Sequence, residues 1–375
     1  MTFNLPARGL VFWPVGNGDS TTIVIEAETN LHIDLNHLEK SDEHENPSWA
    51  VIDELVNRLP EIDGQPYLSA FALTHPDQDH CKGFGELIKR VKIGELWFTP
   101  RIFREYKKDL SDDAKTFKEE AERRVKETIE ARGDPGAGNR VRVIGYSDLL
   151  EKEAFKDFPE DCLSVPGTKI EVIDDKDVSG NFCAFVHAPF KDDDVGDRND
   201  TSLGLQISLY EGKQCLQALL LGDLSYPIIK RIFDFSDEGD LAWNVLLAPH
   251  HCSKSAMYWK DDNDAKEELK SQIVEQMEKA SLIPNRVVSS SNPVPSSNQS
   301  GDNPPHAKAK IQYETITDSF LCTMEQVEPI VAEIKEEKIV FTGATAVALS
   351  ASQAADKAHG SNTTPKDAHT YGQTR

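Results

Sequence analysis

Short blocks of apolar residues recur along most of this chain, separated by polar connections rich in glycine and proline. Their spacing predicts alternating strands and helices. Residues 10–13 and 21–25 form the arms of a predicted hairpin. Gly16 and Gly18 sit in the tight loop between them, where the backbone turns or approaches a neighbour closely. A third strand is expected to end at residues 31–34, and residues 48–59 carry apolar positions at helical spacing. Residues 67–73 are an apolar run bounded by turn residues, the pattern of a buried strand. A helix over 83–91 and a strand over 95–98 follow, and this alternation predicts a layered α/β domain.

A charged helical segment over 101–132 interrupts the alternation. Within it Ala114, Phe117, Ala121, Val125 and Ile129 lie three or four apart and make one narrow apolar stripe. A helix packed on the body is the expectation, with a partner-binding or substrate-gating insertion over about 101–133 as the alternative. Strands resume at 140–144, 169–173, 201–209, 215–221, 244–248 and 286–289, with an amphipathic helix over about 264–280. A Ser/Asn/Pro-rich loop ends at His306, and a last strand is predicted over 338–342. From Gly343 onward Ala, Ser, Thr, Asn and Gly dominate, with no apolar periodicity after Leu349. The expected organisation is one domain over 1–342 and a mobile tail over 343–375.

The predicted strand over 67–73 runs directly into His75, Asp77, Asp79 and His80, four metal-binding side chains within six positions. Any one of them alone is an ordinary surface residue; four on one loop behind a buried strand point to a metal. Imidazole nitrogen mixed with carboxylate oxygen suits zinc, manganese or iron. The same strand-then-ligand pattern returns at Gly222-Asp223 after Leu221, and at His250-His251 after Ala248. Asp34 is a strand-end carboxylate able to orient a ligand or to cap a turn. Carboxylates and histidines delivered by separate strand ends are what a two-metal site requires, where a shared carboxylate bridges ions roughly 3.5–4 Å apart and a hydroxide between them attacks.

Composition narrows the picture. The chain has 375 residues, 38% of them hydrophobic, enough for a substantial core. A net charge of -23 argues against a broad nucleic-acid-binding face and leaves a narrow channel, or a substrate whose charge is met by metal ions. No apolar stretch approaches the roughly 20 residues that span a bilayer, and the N-terminal residues lack the pattern of a secretion signal. The six cysteines are scattered, without a Cys-x-x-Cys pair, so a reducing, cytoplasmic setting is expected. Cys81 and Cys252, beside the ligand loops, read as packing residues.

Taken together, His75-Pro76-Asp77-Gln78-Asp79-His80, Leu221-Gly222-Asp223 and the stretch from Ala248 to Lys254 resemble the metallo-β-lactamase superfamily. The nearer resemblance is to its ComEC-type branch, named for the soluble hydrolase domain of the DNA-uptake competence protein. Val15 to Ser20 is similar to that branch's glycine-rich opening loop, Asn199 to Leu203 to its Asn-containing motif, and Pro304-Pro305-His306 to its late His-Pro element. The resemblance spans about residues 9 to 342, interrupted by the helical segment. It implies a four-layer αββα sandwich with two divalent metal ions, zinc or manganese, at one edge. In that scheme His75 and Asp77 hold the first ion, Asp79, His80 and His250 the second, and Asp223 bridges. Asn199 lies near the place of a further ligand; His251, Lys254 and Asp19 fall on the substrate side; and His306 is positioned as a proton donor. Departures are Pro14 for an Asp, Cys252 for a Gly after the two histidines, and Leu35-Asn36 after Asp34. None removes a ligand.

The expected activity is therefore metal-dependent hydrolysis of a phosphodiester, in nucleic acid or in a nucleotide-derived molecule, with Asp79 holding the attacking hydroxide. Alternatives are hydrolysis of a carboxylic ester, thioester or lactam, or a non-enzymatic accessory role in which the helical segment or the tail docks a partner protein. No membrane association is expected.

Overall fold

The apolar run before the first ligand loop is explained by burial on both faces. In the strand Gln65–Leu73, Ala70 and Ala72 point into one core while Phe71 and Leu73 point into another. A strand covered on both sides cannot show a polar alternation. The structure is a computed structural model that describes residues 3–38, 49–105, 109–152, 155–191, 198–261, 264–299 and 301–342. The expected tail over 343–375 lies outside these described residues.

Gln65–Leu73 pairs in parallel with Thr29–Ile33 on one side and Lys92–Phe98 on the other. Beyond Thr29–Ile33 the sheet continues antiparallel through Thr21–Glu26, Gly9–Phe12, Ile330–Lys335 and Lys338–Phe341. Beyond Lys92–Phe98 it continues in parallel through Arg140–Ile144 and Leu163–Ser164. The second sheet runs Lys169–Ile170, Phe182–Ala188, Gly204–Glu211, Gln214–Leu220, Trp243–Leu247, Ser281–Ser289, Phe320–Cys322. Its last four strands are mutually parallel.

Three apolar layers hold the sandwich together. Between the sheets, Leu10, Ile23, Leu31 and Trp97 from the first meet Phe182, Leu205, Ala218 and Val245 from the second. Outside the first sheet lie the helices Val51–Arg58, Phe84–Arg90 and Asp112–Ala131. Outside the second lie Tyr226–Phe235, Ser271–Lys279 and Ala307–Ile316. The architecture is thus a four-layer αββα sandwich, as the sequence led us to expect. The loops that carry the candidate ligands His75 to His80, Asp223 and His250-His251 follow the carboxyl ends of strands with parallel neighbours, the usual position for a site in an α/β sheet.

Several boundaries differ from the pattern-based expectation. The charged segment divides into Arg101–Arg104 and Asp112–Ala131, the longer helix being capped by the Ser111 hydroxyl, which accepts from the Ala114 N–H at 3.2 Å. Its stripe faces the sheet, with Ala114, Phe117 and Ala121 fully buried. The helix expected over 264–280 begins only at Ser271, because Glu268–Leu269 pairs instead with Tyr258–Trp259. The strand expected over 169–173 is split between two sheets at Glu171. No helix among the described residues is long and apolar enough to cross a membrane.

Candidate metal centre

Thr74 closes the strand Gln65–Leu73 onto Asp34. Its N–H and its hydroxyl donate to the two Asp34 carboxylate oxygens at 2.8 and 2.7 Å, while its carbonyl accepts from the Leu203 N–H of the other sheet at 3.1 Å. The chain then passes His75 and Asp77 into the short helix Gln78–Cys81, which turns His80 inward. The glycine loop packs against this turn: the Asp19 N–H donates to the Asp79 carbonyl at 3.2 Å. Gly18 makes that approach possible, since a Cβ there would lie 2.3 Å from the Asn36 amide and 2.6 Å from the Asp79 carbonyl.

The second sheet delivers its share from two turns. Gly222 adopts φ +52°, and a Cβ on it would meet Ser202 at 3.0 Å, so the chain reaches Asp223 only through glycine. The Gly222 carbonyl accepts from the His250 N–H at 3.0 Å, coupling the two turns. His250, His251 and Cys252 all have left-handed φ, 50°, 54° and 64°. Side chains avoid that region at a cost of order 1–3 kcal/mol each, so the surrounding fold must impose it. Cys252 thus takes the backbone conformation that glycine, at the matching place in the resembled family, adopts freely.

These turns converge on Asp223. Its Oδ1 lies 3.3 Å from His80 Nε2, and its Oδ2 lies 3.7, 3.6 and 3.6 Å from the Nε2 atoms of His75, His250 and His251. His75 Nε2 also lies 3.7 Å from Asp77 Oδ2, and His251 Nε2 lies 3.3 Å from Asp79 Oδ2. Asp19, His80, Asp223 and His251, all buried, each offer a ligand atom within 4.8 Å of the others.

Each imidazole is oriented through its other nitrogen. His80 Nδ1 donates to Asp34 at 2.7 Å and His251 Nδ1 to the Ser290 carbonyl at 3.1 Å. His75 Nδ1 lies 3.1 and 3.3 Å from the hydroxyls of Thr74 and Ser202, and His250 Nδ1 lies 3.5 Å from that of Ser255. Anchoring Nδ1 fixes the ring and the tautomer and leaves Nε2 for a cation.

The test of fit is what those Nε2 atoms meet. Nε2 of His75, His80 and His251, and Oδ1 of Asp223, are buried without a hydrogen-bond partner among the described residues. Each such atom costs about 1–3 kcal/mol if nothing satisfies it. Four of them converge on one place, and a nitrogen and carboxylate donor set there suits a divalent ion. The electrostatics agree. Burial opposes charge on His80, yet the Asp223 and Asp34 carboxylates hold its pKa well above the ordinary value. Burial likewise opposes charge on His251, but Asp223 with Asp19 and Asp79 raises it to about 10. Asp223 is held well below the usual carboxylate range by His80 and His251 despite burial. His75 is driven down, to about 3, by burial and by His80. The carboxylates thus demand positive charge on the cluster, which protons or a metal can supply.

The expected residues fall into place unevenly. The structure brings together His75, Asp77, Asp79, His80, Asp223, His250, His251 and Asp19. His251, rather than the expected His250, faces Asp79, and Asp19 lies inside the cluster rather than only on a substrate side. No hydrogen bond or ion pair among the described residues ties the Asn199 side chain to the cluster; its neighbours Arg198 and Ser202 make those contacts. His306 has both ring nitrogens committed, Nδ1 accepting from the Lys254 N–H at 3.2 Å and Nε2 donating to the Asp302 carbonyl at 3.0 Å. Lys254 pairs with Glu267 at 2.5 Å. Arg198, which the sequence did not single out, donates to Asp77 at 3.0 Å and to Glu105 at 3.0 Å.

No protein-family model matches the chain, and no curated protein matches it. Among solved structures, one similar fold is the metallo-beta-lactamase GOB-18 from Elizabethkingia meningoseptica, 13% identical, covering 84% of this chain and 88% of that one, with a TM-score of 0.34. Another is an archaeal metallo-beta-lactamase superfamily protein, ST1585 from Sulfolobus tokodaii, 12% identical, covering 83% and 97%, with a TM-score of 0.28.

Proposed function

We propose that this protein is a metal-dependent hydrolase cleaving a phosphodiester, the activity its motif resemblance to the metallo-β-lactamase superfamily implies. The observation that carries the metal is the set of buried, partnerless atoms on His75, His80, His251 and Asp223. His75, Asp77 and His250 would hold one divalent ion, Asp79, His80 and His251 a second, and Asp223 would be shared. A divalent cation there lowers the pKa of water and offsets the negative charge that a phosphodiester carries and its transition state redistributes.

The chain's own groups bind and orient. Asp34 and the Ser290 carbonyl keep His80 and His251 turned toward Asp223. Asp79, with 41% of its side chain exposed, is the member of its set open to solvent and would orient a water there. His250, 26% exposed, is the more accessible of the imidazoles that meet Asp223, and His80 is buried. The net charge of -23 favours a compact nucleotide-derived substrate over a long nucleic acid held by a basic face.

The test is release of p-nitrophenol from bis-p-nitrophenyl phosphate by metal-loaded, chelator-stripped and Asp223→Asn protein. The loaded protein should turn it over and the stripped protein should not. Asp223→Asn should lose more than the roughly 10–100-fold that removing an outer partner costs. Hydrolysis of a chromogenic lactam or thioester with no phosphodiester cleavage would overturn the substrate class.

A further inference from the structure

The candidate ligands divide unequally around Asp223. On one side stand Asp19, Asp79, His80 and His251, with Asp19, His80 and His251 buried and mutually close. That side holds two carboxylates besides Asp223. Outside that group stand His75, Asp77 and His250, where Asp77 is 33% exposed and His250 26%. Arg198 reaches into this second group, its Nη1 donating to Asp77 Oδ1 at 3.0 Å.

A cation is attracted by the charge around it and repelled by cations nearby, and water weakens both effects. The Asp19 side offers three carboxylates counting Asp223, reached by solvent through Asp79, and partnerless nitrogens on His80 and His251 against one, on His75, on the other side. The Asp77 side offers one carboxylate besides Asp223, already paired with a guanidinium, and opens to water. Asp19 owes its place to the loop geometry: its N–H is fixed on the Asp79 carbonyl, and the Gly18 carbonyl accepts from Ser290 Oγ at 2.6 Å. The same Ser290 orients His251 through its carbonyl. The loop that carries Asp19 and the turn that carries His251 are therefore built against one another.

We infer that Asp19 is itself a ligand of the ion held by Asp79, His80, His251 and Asp223, and that this side fills before the His75, Asp77 and His250 side. The inference rests on the metal-dependent reading above and deepens it: the site is stepwise, with a tightly held ion on the Asp19 side and an exchangeable one on the Asp77 side. The glycine-rich loop then belongs to the metal centre and not solely to the substrate.

The experiment titrates Mn²⁺ alone into the chelator-stripped full chain, following heat by calorimetry and the bound ion by electron paramagnetic resonance. The wild type should bind in two steps separated by roughly tenfold or more in affinity, with an isolated-ion spectrum at one equivalent and spin coupling only at two. Asp19→Asn, nearly isosteric, should weaken the tight step by roughly 10–100-fold, by analogy with the loss of ligand support, and spare the weak one. Asp77→Asn should weaken only the weak step. Should Asp19→Asn fail to fold by circular dichroism, Asp19→Glu takes its place, and its displaced carboxylate should shift the tight step and its spectrum. Tight binding within twofold of wild type in the folded Asp19 variant overturns the ligand assignment. Loss of the tight step in Asp77→Asn overturns the order of filling. A wild type that binds no Mn²⁺ at all sinks the metal reading itself, which separates that failure from failure of the inference.

Discussion

The four imidazoles at this centre are useful only because their second nitrogens are occupied, and Asp34 carries the heaviest share. It receives the Thr74 N–H, the Thr74 hydroxyl and His80 Nδ1, so one carboxylate fixes both the end of a strand and the aim of a ligand. Asp34 also has φ 55°, a conformation that Asn tolerates well. Asp34→Asn therefore keeps the turn and the size while losing the charge that holds His80 in the required tautomer. We expect metal affinity to fall roughly 10–100-fold, measured by calorimetric titration, with the circular dichroism spectrum unchanged. Affinity equal to wild type would make Asp34 a turn cap and nothing more.

At the scale of elements, the helix Asp112–Ala131 shows what the sequence revealed and what it hid. Its stripe was legible because Phe117 and Ala121 recur at helical spacing against a charged background. In the fold, Phe117 rests on Phe84 at 4.8 Å between ring centroids, and Asp113 accepts from the N–H groups of Gly83 and Gly85. The helix is a wall of the first core. Phe117→Ala should cost about 3–5 kcal/mol of stability by urea unfolding, whereas a detachable insertion would lose far less. The helices Tyr226–Phe235 and Ala307–Ile316 carry no clear sequence signal, for physical reasons. The first starts at a Tyr-Pro pair that reads as a turn, though proline is well accepted in a first helical turn. The second buries mainly Ala307, Ala309 and Tyr313, which leave no strong apolar stripe. Strand ends bearing ligands were visible because a long apolar run followed by His or Asp is unusual. Which of two adjacent histidines faces Asp79 was not, because three left-handed residues decide it. Nor was Arg198, a lone cation in an acidic loop.

For the whole molecule, the candidate ligands come from both halves of the sandwich: His75 to His80 follow a strand of the first sheet, Asp223 and His251 follow strands of the second. Positive charge at the centre therefore joins the two sheets, and proton and metal are rival sources of it. His251, with its pKa raised to about 10, binds its proton more tightly folded than unfolded. Its contribution to stability is complete below about pH 6.5, the unfolded value, and is lost as pH rises through about 10. His80, shifted in the same direction, adds to the loss. His75 and His32, both driven down to about 3, act on the acid side and leave this window alone. A metal needs those nitrogens deprotonated, so its hold strengthens over the same range. Chelator-stripped protein should thus melt at progressively lower temperature from pH 6.5 to 9, while metal-loaded protein should change little. Metal at 100 times its dissociation constant adds about 2.7 kcal/mol, so the gap between the two melting curves should widen with pH. Differential scanning calorimetry across that range checks it, and a gap that narrows with pH would mean that protons and metal do not compete for one centre.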